Sequence, residues 1–249
     1  MAEKVLKKLI SYPHGPTRVS YENDFLNDTD ITDFTATTSG TGAAVASAAS
    51  DYLGGAVTLT CGTDDNGYAQ IMLETEVIQL AAGREIWASA KFLSGAEVTQ
   101  NEIYFGLVGG SNTTSPIGDA SNANPGSDYF LAYNADGGLT WQIIRAKDAS
   151  TFTTNSNGYT AIDGSGTSNT IVAATEYDLA LRIKVNPKDV GTLDALEFYI
   201  DGVRVAAGYN LTTDVCDDEL MTIVFGNKAG AASAASIHTL DHISFDFNR

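Results

Sequence analysis

Tyr177-Asp-Leu-Ala-Leu-Arg-Ile-Lys-Val185 decides the fold. Leu179, Leu181, Ile183 and Val185 fall on one side of an extended chain, and Asp178, Ala180, Arg182 and Lys184 on the other. Successive side chains of a strand point to opposite faces, so this period of two marks a half-buried β-strand. Ala195-Leu-Glu-Phe-Tyr-Ile200 repeats the alternation, with Leu196, Phe198 and Ile200 inward. Asp201-Gly202 follows at once, then Val203-Arg-Val-Ala206. Asp-Gly between two apolar runs is a strong hairpin signal, because both turn residues must accept positive φ.

Working outward, Ile243, Phe245 and Phe247 alternate with His242, Ser244 and Asp246 near the C-terminus. Further strands are predicted over 56–60, 68–74, 86–93, 102–108, 129–134, 139–146 and 220–225. Asp65-Asn66-Gly67, Ala82-Gly83 and Asp136-Gly137-Gly138 supply turns between them. An apolar period of 3.6 residues appears only near the N-terminus. Many short strands with hairpin turns and no fixed internal repeat predict an all-β sandwich of two antiparallel sheets. Its core is predicted to hold Leu179, Leu181, Ile183, Leu196, Phe198, Ile200, Ile243 and Phe245.

The chain has 249 residues, enough to bury a core without disulfide staples. It carries 14 Lys+Arg against 31 Asp+Glu, a net charge of −17 that would repel nucleic acid. No stretch is long and apolar enough for a membrane span or a signal peptide, so a soluble protein made in the cytoplasm is expected. Cys61 and Cys216 lack metal-ligand spacing and are expected to be reduced structural thiols. Two polar loops, 109–127 and 148–169, are long for a compact domain and are either edge insertions or contact regions.

Residues 1–20 differ from the body at 21–249. Lys4, Lys7, Lys8 and Arg18 oppose only Glu3, a local charge of +3 on a chain that is otherwise strongly acidic. Val5, Leu6, Leu9 and Ile10 form a short amphipathic stretch that Pro13 and Pro16 end. This segment reads either as a plain terminus or as a basic arm. In the second case Lys4, Lys7, Lys8, Leu9, Ile10 and Arg18 are its partner-binding residues.

Leu196-Glu-Phe-Tyr-Ile-Asp-Gly-Val203 and Leu240-Asp-His-Ile-Ser-Phe-Asp-Phe247, with Ile86-Trp-Ala-Ser-Ala-Lys-Phe92 between the termini, resemble the concanavalin-like jelly rolls of the laminin-G type. That resemblance covers about residues 20–249 and implies that the last strand pairs back near the first. The Asn23-Asp-Phe-Leu-Asn-Asp28 opening and the Thr/Gly/Ala-rich segment 35–50 are similar to structural proteins of tailed bacteriophages, of the capsid decoration or cement type. This likeness implies a non-enzymatic virion protein on the capsid surface, with the major capsid protein and copies of itself, as a homodimer or homotrimer, for partners. The alternative is a glycan-binding module, receptor-binding or tail-associated.

Catalytic patterns are sparse along the chain. A laminarinase-like glycosidase needs Glu-x-Asp-x-x-Glu, so that carboxyl groups flank the scissile bond from one strand face. The chain lacks that run; Glu74 and Glu76 share a face without a third acid, and Asp201 is needed in its turn. His238 and His242 share a face of a strand or a helix but have no third zinc ligand beside them, and read as solvated strand histidines. Asp64-Asp65-Asn66 and Asp217-Asp218-Glu219 read as solvated turns or, less economically, as calcium loops. Trp87 and Trp141 read as core aromatics, with surface exposure the condition for a sugar platform. No cofactor is expected.

Overall fold

A computed structural model of the chain describes residues 18–25, 30–47, 55–109, 114–118, 128–134, 138–148, 153–154, 170–232 and 235–248. Among these residues the first strands are β1 (Arg18–Asn23), β2 (Phe34–Ser39), β3 (Ala44–Ser47), β4 (Val57–Thr60), β5 (Tyr68–Leu73) and β6 (Ile78–Gln79). The middle of the chain adds β7 (Glu85–Leu93), β8 (Asn101–Gly109), β9 (Asp128–Asn134), β10 (Trp141–Ala146) and β11 (Thr153–Thr154). Then come β12 (Glu176–Asn186), β13 (Asp189–Ile200), β14 (Val203–Leu211), β15 (Leu220–Ala229) and β16 (Ile237–Asn248). A 3-10 turn at Asp30–Asp33 is the only helical element among the described residues.

The strands form two antiparallel sheets. The first runs β14-β13-β12-β7-β16-β4-β3, with β1 also on β16; the second runs β11-β10-β9-β8-β15-β5-β2, with β6 also on β15. Along one side of β16 lies β7; on the other, β4 pairs with residues 237–240 and β1 with residues 243–248. First and last strands are therefore neighbours, as the jelly-roll resemblance implies. Arg18, Val19 and Ser20 belong to β1, so the sandwich begins before the boundary at residue 20 that the charge pattern suggested.

The core lies between the sheets, and all eight residues that alternation assigned to it are buried. At its centre Phe92 meets Phe225 at 5.3 Å and Trp141 at 6.3 Å, while Trp141 meets Phe198 at 5.5 Å between ring centroids. Tilted and edge-on rings of this kind add about 0.5–1.5 kcal/mol each beyond the area they bury. Asp201 and Gly202 have φ of 51° and 78°, the left-handed pair that a two-residue hairpin turn needs. Cys61 and Cys216 are buried thiols with no disulfide between them.

From β10 to β5 the second sheet is buried on both faces, whereas its edge strand β2 is largely exposed. Tyr104, Tyr129, Leu131, Tyr133, Ile144 and Val224 point away from the main core yet are 1% exposed or less. Ile117, from the loop after β8, packs among them. Gln70 Nε2 donates to Thr114 O at 3.2 Å, and Lys228 Nζ donates to Gly118 O at 2.6 Å. Residues 114–118 of the first long loop thus pack against the outer face of the second sheet; the rest of that loop between β8 and β9, and most of 148–169, lie outside the described residues. Lys228 and Glu102, cross-strand partners, form a buried ion pair at 3.1 Å beneath residues 114–118.

One expectation fails on local geometry. The β16–β7 register shifts between Leu240 and His242, so a bulge at Asp241 breaks the strand parity. His238 and His242 therefore do not share a face. His238 points inward with no exposure; its Nδ1 accepts from the Gly95 N–H at 3.0 Å, and its Nε2 has no protein partner. The reading of both histidines as solvated strand residues is corrected for His238, because β16 enters the core on that side of the bulge.

Two measurements check this packing. Phe198→Ala should cost roughly 3–5 kcal/mol in denaturant unfolding, through lost transfer energy and a cavity between the sheets. Burial pushes the His238 imidazole down to about 3, so between there and its ordinary value near 6.5 the unfolded chain binds the extra proton. Stability should consequently fall as pH drops from about 6.5 toward 3, and His238→Gln should flatten that dependence in unfolding curves.

Candidate functional site

The outer face of the first sheet can be read row by row from its registers. Tyr199, Ala180, Ser89, Ser244 and Glu22 are successive cross-strand partners on β13, β12, β7, β16 and β1. Two residues along the strands, Glu197, Arg182, Trp87 and Asp246 form the next row. On the other side Asp178, Lys91 and His242 form a third. Small Ala180 and Ser89 stand between rows of long side chains, and the result is a trough that crosses the strands.

Trp87 and Tyr199 meet across β12, ring centroids 5.4 Å apart and tilted by 40°. They wall a hollow of about 410 Å³ whose lining also includes Ser89, Lys91, Asp178, Ala180 and His242. Trp87 borders a second hollow of about 290 Å³ with Arg18, Glu85, Asp246 and Asn248. On the floor the hydroxyls of Ser89 and Ser244 lie 2.6 Å apart. Trp87 is half-buried and faces out, so it is not the core aromatic that its strand suggested; Trp141 is.

Buried charge fixes this wall. The Glu197 side chain is 2% exposed. Its Oε2 accepts from Arg182 Nη1 at 2.7 Å and Tyr199 Oη at 2.9 Å, and its Oε1 from Arg204 Nη1 at 2.6 Å and Tyr209 Oη at 3.0 Å. Burial works to raise this carboxyl, but the two guanidinium groups and two phenols outweigh it and hold it at about 2. Arg182 also donates Nε to Glu85 at 3.0 Å, and Trp87 Nε1 donates to the same carboxylate at 2.9 Å. The guanidinium carbon stands 5.5 Å from the centre of the Trp87 ring. Lys91 opposite is paired with Asp241 at 3.3 Å and held above its ordinary range by Asp241, Glu176 and Asp178.

The other sequence candidates stand elsewhere. Lys4, Lys7, Lys8, Leu9 and Ile10 lie outside the described residues. Arg18 forms an ion pair with Asp246 of its own sheet. Asp64 caps a turn, accepting the Thr41 N–H at 2.6 Å, while Asp217 and Asp218 both pair with Lys147. Among the described residues no group of three or more His, Cys, Asp or Glu is arranged to hold a metal. Glu74 and Glu76 follow β5 rather than lying on a strand face. Trp87 and Tyr199 were within reach of sequence reasoning. Ile86, Ala88, Ala90 and Phe92 are the inward phase of β7, which sends Trp87 outward with Ser89 and Lys91. Tyr199 shares the outward phase of the β13 hairpin with Glu197.

No protein-family model matches the chain, and no curated protein matches it. Solved structures do. An endo-β-1,4-glucuronan lyase from Trichoderma reesei superposes with a TM-score of 0.61 at 14% identity, over 90% of this chain and 94% of the other. An endo-1,3-β-glucanase from Streptomyces sioyaensis gives 0.59 at 14%, over 95% and 99%. Lectin II from Ulex europaeus gives 0.57 at 10%, over 92% and 98%. At such identities the likeness is one of fold, and the fold is the concanavalin-like jelly-roll sandwich.

Proposed function

We propose that the protein is a non-enzymatic glycan-binding module whose binding face is the trough on the first sheet. The observation that carries this reading is the outward Trp87–Tyr199 pair beside a floor of Ala180 and Ser89. A sugar ring offers an apolar C–H face that packs on an aromatic ring, and hydroxyls that need polar partners at the edge. Here the aromatics stand against Ser89, Asp178 and Lys91, which supplies both. The rings are held in place before any ligand arrives, because Glu197 and Glu85 lock Arg182, Tyr199 and the Trp87 N–H. A site that is already ordered loses less of its binding energy to immobilising side chains. The opposite sheet is less suited, since the outward side chains of its central strands are covered.

The resemblance to phage decoration proteins adds a setting to this reading: a module on a particle surface, touching the major capsid protein and its own copies, with the trough turned outward. Its support is the sequence likeness and the charge contrast between residues 1–18 and the acidic remainder.

The test is a panel of soluble polysaccharides titrated against the protein by calorimetry, with tryptophan fluorescence as a second readout. Trp87→Ala should weaken binding by about tenfold or more, equivalent to roughly 1.4 kcal/mol, with the melting curve nearly unchanged. Binding unaffected by this change would remove the trough from the proposal. Glu197 makes a separate prediction. With its folded value near 2 against 4.5 for the free side chain, its stabilisation is full above about pH 4.5 and is lost as pH falls through about 2. Glu197→Gln should therefore lower stability at neutral pH and flatten the acid limb of the stability curve over that window.

A further inference from the structure

We infer that the trough takes an uncharged glycan, bound along the interior of its chain across the strands, and refuses acidic polysaccharides; this rests on the glycan-binding reading above. Charge selects the ligand. Among the described residues, each cation beside the trough is already engaged by carboxylate. Lys91 is paired with Asp241 and also surrounded by Glu176 and Asp178. Arg182 is shared between Glu85 and Glu197, Arg204 is bound to Glu197, and Arg18 to Asp246. A uronate or sulfate entering here gives up its water without gaining a cation of its own. It also meets the field of a chain with a net charge of −17. A neutral sugar meets neither penalty: its hydroxyls exchange water for Ser89, Asp178 and Lys91, and its ring covers Trp87 and Tyr199.

Shape selects the binding mode. The floor of Ala180 and Ser89 lies between Tyr199 on β13 and His242 on β16, a path of about 14 Å at ~4.8 Å per strand. At the β13–β14 end the trough reaches Gly202, and a side-chain carbon there would meet nothing within 4 Å. With no side chain at Gly202 to close the trough beside Tyr199, a polymer can continue past the site, and recognition falls on internal sugar units rather than on a terminus.

The experiment compares neutral polymers (a β-1,3-glucan, a β-1,4-glucan and a galactomannan) with polyglucuronate, alginate and polygalacturonate. Calorimetry at low and raised salt is followed by a length series of oligosaccharides from the best polymer. Expected are binding to at least one neutral polymer, acidic polymers weaker by about tenfold or more, and affinity that climbs with oligosaccharide length before it levels off. Ala180→Tyr should fill the floor and abolish binding while the melting curve is retained. Asp241→Asn should release Lys91 and raise the affinity for acidic polymers, most clearly at low salt. Tighter binding of an acidic polymer through Trp87, or full affinity for a single sugar unit, would overturn the inference and leave the glycan-binding reading standing. Failure of every polymer to bind would overturn both.

Discussion

The pairing of β16 is the constraint from which the rest of the first sheet follows. This one strand holds β7 along one side and both β4 and β1 along the other, so it joins the beginning, middle and end of the chain. A contact between residues so far apart is costly in loop entropy, and that cost is offset only when the whole sandwich forms. The bulge at Asp241 lets the strand do this. On one side of it His238 and Leu240 enter the core; on the other Ile243, Phe245 and Phe247 do, with the parity reset. A regular strand would have turned one of those two sets outward.

The same strand fixes where the outward aromatics stand. Because β7 lies between β12 and β16, its outward phase places Trp87 and Ser89 in the middle of the sheet, with Tyr199 two strands away. The small residue on the intervening strand, Ala180, allows the two rings to approach. Glu197 then does for this face what the aromatic cluster does for the core. A carboxylate 2% exposed must be fully bonded, and satisfying it draws in Arg182, Arg204, Tyr199 and Tyr209. Rigidity on the surface is thus a consequence of a charge buried in it.

The two sheets divide the remaining work. From β10 to β5 the second sheet is buried on both faces, and its outward tyrosines serve packing, with Tyr104 also donating to Gln70 at 2.8 Å. The first sheet is covered on one face, and its other side carries the trough. Similarity in fold to lectins, a glucanase and a lyase does not choose between these faces, since one architecture hosts several chemistries. The side chains choose.

Much of the architecture was legible in the sequence. Alternation in Tyr177–Val185 and Ala195–Ile200, joined to the Asp201-Gly202 turn, is local information: a period of two and a positive-φ pair depend only on neighbours along the chain. The inward set was readable for that reason, and so was the closing strand. Tertiary structure alone decided which sheet face stays open, because a residue on an outward phase is exposed or covered according to segments distant in sequence. Tyr104 and Trp87 both stand on outward phases; one lies beneath a loop segment and the other lines a trough. The burial of His238 also required the fold, since a bulge is a mismatch between two strands and leaves no mark in either sequence alone. For Glu197 the alternation shows only an outward phase between Leu196 and Phe198. Its four donors come from β12, β13 and β14, and only their pairing made it the anchor of the outer face.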